Sequence, residues 1–489
     1  MSSSFVSCRA PLRNHLKKAA QRLGFAIAFC LACLPLSSQT SQGTIQGGVF
    51  DQSGGAVAGA TVSVIDVARG VTRALTADGA GQYVAVGLTP GTYTVRAEAK
   101  GFRNVEHSGV LLEVGQTVRV DLVVQPGEQT QTITVTGEIP AIDTTDATLG
   151  GTVTNRSIME LPLNGRNFER LLDLRPGTVS TPGAGTGSSN SNGRRIQNNT
   201  FRVEGIIQIV NTTGSTLMNQ FYRGGDSGSL LPIDAIQEFS ASYNSKAEAG
   251  FRDGSVVNVG IKSGTNSIHG TAYAFGRDAS ATDASNFFTG QVTPANLEQF
   301  GATAGGPIIK DKLFWFANFE LVRDVTGNTG TTQAPTSVAG AGVGNSFVDT
   351  CRSLGPASIN PLSAQLAGLN PNTCVVSPAS PTVENIFPFF NSTSTTFFQP
   401  APSNLPVNNG LAKGDYAINA HHHVSGFLYI SKSFSQTLSA NQLLPQYYTG
   451  GVNNVQQYSG DWTWTPNSIL VNDLGWATFS TGIRLFRAT

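Results

Sequence analysis

The chain has 489 residues, of which 13% are charged and 55 are glycine, with 31 basic and 31 acidic side chains. That length fits two to four domains. So low a charged share beside so much glycine argues against a cytosolic α/β enzyme and for a Gly-, Ser- and Thr-rich all-β protein, and nothing in it points to a nucleic-acid partner.

Residues 1–40 read as a signal peptide. Arg9, Arg13, Lys17, Lys18 and Arg22, with no acid among them, precede the apolar run Leu23–Leu34, and Pro35 and small polar residues follow. This is a basic n-region, an h-region and a cleavage zone near Ser37–Ser41, too short to span a bilayer comfortably as a helix. Without the leader the chain is mildly acidic. Cys8, Cys30 and Cys33 lie in the leader, which leaves Cys351 and Cys374. An even pair in an exported chain reads as a local disulfide.

Residues 43–124 read as a small β-sandwich. Ala60–Ile65, Tyr83–Val86 and Thr92–Ala97 alternate at period two, and Asp78-Gly79, Pro90-Gly91 and Lys100-Gly101 punctuate them. The strings Asp78-Gly-Ala-Gly-Gln-Tyr83, Leu88-Thr-Pro-Gly-Thr-Tyr93 and Gly101-Phe102 are similar to carboxypeptidase-regulatory-like domains. That resemblance implies a sandwich related to starch-binding modules, without catalysis. Tyr83 and Tyr93 are expected in its core rather than on an exposed sugar platform. None of the six histidines sits in an H-E-x-x-H arrangement.

Residues 128–266 change pattern. Thr132, Ile133, Thr134, Val135 and Thr136 resemble a TonB box, an extended segment that adds a strand to a partner's sheet edge. Leu161, Pro162, Leu163, Asn164, Gly165, Arg166 and Asn167 are very close to the plug motif of TonB-dependent outer-membrane receptors of the Oar-like group. Phe168, Leu171 and Leu172 then stand at helical spacing, with Asn167 as cap and Pro176-Gly177 as stop. Ser180–Gly193 reads as a plug loop. Phe201-Arg-Val-Glu-Gly205 resembles the family's next plug strand, where an acid and a glycine close a turn. Gly225-Asp-Ser-Gly228 looks like the nucleophile loop of chymotrypsin-like proteases. Ser229 replaces the glycine of that motif, and no histidine stands in a protease context, so no catalysis is expected.

Residues 267–489 offer seven candidate strands, at about 268–278, 296–307, 311–323, 411–420, 424–434, 455–465 and 468–480. Their connections alternate between short ones (Pro307–Lys310, His421–His423, Pro466-Asn467) and long ones, as in membrane β-barrels. Phe314, Trp315, Phe316, Phe319, Trp462, Trp464 and Trp476 are candidate members of interfacial girdles. His421–His423 is expected to be solvated at a turn, because three consecutive strand residues cannot share a face to chelate a metal.

The stretch from Ile236 to Arg323 resembles the junction where the plug of such a receptor meets its barrel. The fold expected is therefore mainly β: a sandwich, an α+β plug, then the first strands of an antiparallel transmembrane β-barrel. The resemblance implies transport without bond chemistry and without a cofactor or metal. An external substrate, carbohydrate or peptide, would bind loops and plug. A TonB-type energy-transducing inner-membrane complex would pull on the box, in a wall surrounded by outer-membrane lipid. Large plugged transporters close with 22 strands, so seven lead to the expectation of a truncated barrel. The alternative is an exported carbohydrate- or surface-binding protein that uses residues 43–124 as its binding module.

Overall fold

The computed structural model describes residues 42–127, 132–135, 149–161, 168–174, 177–180, 189–194, 198–208, 231–243, 254–282, 295–333, 351–352, 354–362, 370–375, 396–437, 449–466 and 471–487. The leader, Thr136, the motif residues 162–167 and the segment 225–229 lie outside the described residues.

Nine strands build the N-terminal sandwich: β1 (Gly43–Asp51), β2 (Thr61–Asp66), β3 (Thr72–Thr76), β4 (Gln82–Leu88), β5 (Gly91–Glu98), β6 (Asn104–Leu112), β7 (Thr117–Arg119), β8 (Leu122–Val124) and β9 (Thr132–Val135). One sheet orders β4-β1-β7, with β8 pairing the far half of β1; the other orders β3-β2-β5-β6-β9. Alternation fills the space between them with Ile45, Val62, Val64, Ala85, Val95, Val110 and Leu122, among others. Tyr83 and Tyr93 are 1% and 3% exposed. Their hydroxyls donate to the carbonyls of Val120 and Thr89, each at 2.6 Å, which is how a buried tyrosine offsets the desolvation of its polar tip. Neither ring is free to stack on a sugar.

The plug is a mixed sheet ordered β10-β15-β16-β13-β14. Its strands are β10 (Gly150–Thr154), β13 (Thr200–Val203), β14 (Ile206–Ile207), β15 (Ile236–Ser242) and β16 (Val256–Ile261), with a small hairpin of β11 (Thr178–Ser180) and β12 (Ser189–Ser191) beside it. Helix α1 (Asn155–Glu160), which the sequence reading did not anticipate, buries Ile158 and is tied down by Asn155 Nδ2 donating to Ile236 O at 2.8 Å. Phe168–Leu174 is a 3-10 helix rather than the expected α-helix. The i, i+3 part of its spacing suits both, and at 7 residues the segment is too short for the α form to gain much from cooperativity. Phe168 packs 5.2 Å from Phe239 and 6.1 Å from Phe201, ring to ring.

Among the described residues seven antiparallel strands follow in a plain meander: β17 (His269–Arg277), β18 (Ala295–Ile309), β19 (Leu313–Gln333), β20 (Thr396–Asn419), β21 (His422–Thr437), β22 (Thr449–Trp464) and β23 (Asn472–Arg487). The sheet is open, with β17 and β23 at its edges among the described residues. A tilted strand needs about 9–11 residues to cross a bilayer core. Most of these are longer, and longer than the alternation suggested. β20 starts at Thr396 because its pairing with β19 runs back to Gln333. Pro400, Pro402 and Pro406 share one parity, so their missing N–H groups fall on one side, and β21 pairs β20 only from Val407 onward.

Loops of the sandwich meet the plug and the wall at one junction. Arg69, ion-paired to Asp66 at 2.6 Å, donates to Gly264 O at 3.2 Å. Asn266 Nδ2 donates to Arg69 O and to Asp311 Oδ1, both at 2.7 Å, while Asn266 Oδ1 accepts from Asp311 N at 2.9 Å. Asp311 takes a left-handed φ of 61° in the β18–β19 turn, a conformation Asp tolerates better than most residues. Nearby, Val114 N donates to Glu238 Oε1 at 2.5 Å, and Gln237 Nε2 donates to Pro90 O at 3.1 Å.

Candidate plug–wall site

Period two gives each wall strand an inner and an outer face. On β19, Phe314, Phe316, Asn318, Glu320 and Val322 are buried, whereas Phe319 between them is exposed. On β20 the buried set is Val407, Asn409, Leu411, Lys413, Asp415 and Ala417. Outward stand Phe319, Tyr416, Ile418, Val424, Ile430, Tyr458, Trp462 and Trp476. Apolar side chains outside and mixed polar ones inside are the distribution a lipid-facing wall requires. Phe314 and Phe316 are therefore not girdle members. They turn inward, and Phe316 joins the plug core with Leu411, Phe427, Tyr429 and Val455.

The histidine run is solvated only in part: His421 is exposed at the β20–β21 turn, as expected, whereas His422 and His423 are half-buried. His422 stacks on Trp462 and Trp464 at 5.7 and 6.1 Å, with near-parallel rings, and Trp462 Nε1 lies 3.1 Å from His422 Nδ1. His421 Nδ1 lies 2.8 Å from Thr465 O. His423 lines a cavity of about 50 Å³ with Asp66, Arg69, Arg73 and Asp415. The three rings have three separate environments. Among the described residues no group of three or more metal-ligating side chains forms.

Among the described residues, three polar attachments hold the plug to the inner face of the wall. In the first, Glu320, wholly buried on β19, accepts from Tyr273 at 2.6 Å, Gln299 at 2.9 Å and Asn409 at 3.3 Å, all of the wall. Its fourth donor is the plug backbone, Ile233 N at 3.4 Å. Tyr273 reaches this carboxylate across Gly301, where a Cβ would stand 2.5 Å from the tyrosine oxygen.

In the second, Asp234 of the plug pairs with Lys262 at 2.6 Å. It also accepts from two wall hydroxyls, Thr271 and Thr303, the latter at 3.2 Å.

The third is ionic. Val203-Glu204-Gly205-Ile206 is a two-residue hairpin with positive φ at both central positions, 51° and 77°, the mirror-type turn that suits twisted strands. It aims Glu204 at the wall. Glu204 accepts from Ile261 N at 2.6 Å and from Lys413 Nζ at 2.9 Å, and Lys413 also donates to Ile261 O at 3.2 Å. Each attachment satisfies groups that burial would otherwise leave costly, and each is made of bonds that can be exchanged for water.

Of the residues the sequence singled out, only Leu161 of the plug motif is described, and it is half-exposed. Thr132–Val135 form β9. Cys351 and Cys374 are joined by a disulfide, Cα to Cα 5.7 Å. None of these takes part in the plug–wall attachments, whereas Glu204, the acid of the expected turn, does. Asp234, Lys262, Glu320 and Lys413 were missed: period two assigns a face, but names no partner across a domain boundary.

A sheet with a lipid-type outer face, a plug bonded to its inner face and a sandwich ahead of both define an outer-membrane β-barrel wall with its plug. Residues 260–484 match the family model described as outer membrane beta barrel domain, and residues 44–125 match that of the carboxypeptidase regulatory-like domain. The TonB-dependent transporter Oar of Myxococcus xanthus is 29% identical over 322 residues, covering 62% of this chain and 29% of that protein. The outer membrane transporter YddB from Escherichia coli is similar over 68% of this chain and 39% of its own, at 12% identity and a TM-score of 0.41. The siderophore receptor PirA from Acinetobacter baumannii is similar over 69% and 48%, at 13% identity and a TM-score of 0.34. The chain is a homologue of the TonB-dependent transporter Oar and spans 29% of that relative's length. Its barrel domain assigns it to the outer membrane.

Proposed function

We propose that the chain acts as a receptor and transport component of the outer membrane, taking up an external substrate under the pull of a TonB-type inner-membrane complex. The observation that carries this reading is the set of attachments at Glu320, Asp234 and Glu204–Lys413. A plug that must shift to open a path needs contacts strong enough to close it and polar enough to hydrate when it moves. An all-apolar boundary would resist water entry. Carbohydrate and peptide substrates both remain compatible with this reading. It includes no bond chemistry, removal of the leader 1–40 on export, and residues 132–136 as the coupling segment.

The test is fractionation of the exported chain, followed by capture on the periplasmic domain of the cell's energy-transducing inner-membrane protein. The chain is expected in the outer-membrane fraction and on the capture resin. Val135→Pro, which removes a donor and fixes φ, is expected to abolish capture. Recovery in the soluble periplasmic fraction, or capture unaffected by the proline, would contradict the proposal.

A further inference from the structure

The coupling segment is not a free tether. β9 lies parallel to β6, with Asn104, Val105, Glu106 and His107 opposite Thr132, Ile133, Thr134 and Val135 in turn. It is the last strand of the sheet β3-β2-β5-β6-β9. A strand in a ladder commits one row of its N–H and C=O groups to its neighbour and leaves the other row pointing away. Among the described residues nothing pairs with that second row of β9. At the opposite edge of the same sheet the Arg73 side chain on β3 donates to Val86 O on β4 and ties that strand to the other sheet. The segment Thr132-Ile-Thr-Val135 is also β-branched throughout. It carries none of the lysines, prolines or glycine bulges by which proteins protect an edge from pairing.

We infer that the sandwich presents the coupling segment as a ready-formed edge, and that the inner-membrane partner adds its own strand to the outer side of β9 while β9 stays on β6. This rests on the reading of residues 132–136 as the coupling segment. Two physical points favour addition over peeling. Peeling β9 away would break its ladder with β6 before any bond to the partner formed, whereas addition breaks none. The conformational entropy of straightening the segment is already lost in the free chain, so the partner meets a preorganised strand.

The sandwich is fixed at Arg69–Gly264 and Arg69–Asn266, beside the plug–wall boundary, and at Val114–Glu238 on plug strand β15. A pull on β9 therefore enters the sandwich sheet and reaches the plug through those contacts, as well as along the chain toward β10.

The test uses the full chain in outer-membrane vesicles and, as probe, the purified periplasmic domain of the energy-transducing protein. Glu106→Cys with Thr134→Cys places two thiols at paired Cα positions. Oxidation is expected to lock β9 to β6 and leave the dissociation constant for the probe within about twofold of the reduced form. The native chain under the same reductant controls for opening of the Cys351–Cys374 disulfide. A lock that forms but weakens binding about tenfold or more, reversibly, would overturn the inference, since β9 would then have to leave β6. So would a lock that never forms. Amide exchange on the unmodified chain gives a second reading. One alternate row of the amides in 132–135 should be slow in the free chain, and the other row should slow only when the probe is added. Fast exchange of both rows in the free chain would overturn the inference as well. A synthetic peptide of residues 128–140 separates the two levels. If it fails to bind the probe, the coupling-segment reading falls and this one with it. If it binds while the locked chain does not, only the present inference fails.

Discussion

Glu204 and Lys413 meet at 2.9 Å across the boundary between plug and wall, and the lysine side chain is only 3% exposed. The carboxylate reaches that position because Glu204 occupies the left-handed region at φ 51°, one residue before Gly205. A backbone conformation that most side chains avoid is thus spent on aiming a charge at the barrel. Removing one member of a buried pair leaves the other uncompensated, at a cost of roughly 3 kcal/mol. Lys413→Met is accordingly expected to loosen the plug, read as faster amide exchange in β13, β14 and β16. Lys413→Met with Glu204→Gln should recover most of the loss, because neither charge is then stranded. Equal exchange in the single variant and the native chain would contradict the attachment.

Glu238 lies at the sandwich–plug boundary, where burial pushes its carboxyl up to about 7. Burial is the largest cause, the hydrogen bond from Val114 N opposes it, and the neighbouring charge of Glu113 adds to it. The folded-state value is raised above the unfolded one of 4.5. The folded form therefore holds the proton more tightly, and its contribution is full below about 4.5 and lost as pH rises through about 7. The sandwich–plug contact should be tighter at pH 5 than at pH 8, by an amount on the order of 3 kcal/mol if the whole shift is realised. Melting curves across that window check it, and Glu238→Gln should flatten the dependence. A contact that strengthens toward pH 8 would refute the assignment.

Asn266 joins three parts through one side chain: Arg69 of the sandwich, its own junction segment and Asp311 of the β18–β19 turn. Three hydrogen bonds at about 1 kcal/mol each put the cost of Asn266→Ala near ~2–3 kcal/mol. Limited proteolysis should then release a fragment ending near residue 127 sooner than in the native chain. Asn266→Asp should be no better than alanine at neutral pH, since it sets a second carboxylate against Asp311, and should improve on acidification. Unchanged release from both variants would show that the junction is held elsewhere.

The wall was legible because period two is a direct consequence of strand geometry, and seven strands alternate with short connections at one end. The same rule should have separated the aromatics. Phe314 and Phe316 share parity with Asn318 and Glu320, whereas Trp315 shares parity with Phe319, so these four aromatics could not all belong to one outer girdle. Strand ends were not legible. Residues 324–333 and 396–406 carry little alternation and three prolines, yet pair as one hairpin. Phe168–Leu174 could be read as α or 3-10, since an i, i+3 contact exists in both. The plug–wall partners were beyond reach for another reason. Glu204 lies 209 positions before Lys413, and a charged residue carries no local mark of which distant group will neutralise it. The same holds for His422, whose place beside Trp462 and Trp464 depends on the β21–β22 register.

In this arrangement the outer face of β17–β23 meets lipid while the inner face holds the plug. All four tryptophans of the chain bear on it. Trp315, Trp462 and Trp464 lie on the outward parity of β19 and β22, and Trp476 lies outward over Gly460, where a Cβ would stand 2.5 Å from its Nε1. The most direct measurement is intrinsic tryptophan fluorescence of the unmodified chain in its vesicles, with lipids brominated at shallow acyl positions compared against acrylamide in the aqueous phase. Strong quenching by the brominated lipids and weak quenching by acrylamide are expected. Strong acrylamide quenching with no effect of brominated lipid would contradict the arrangement.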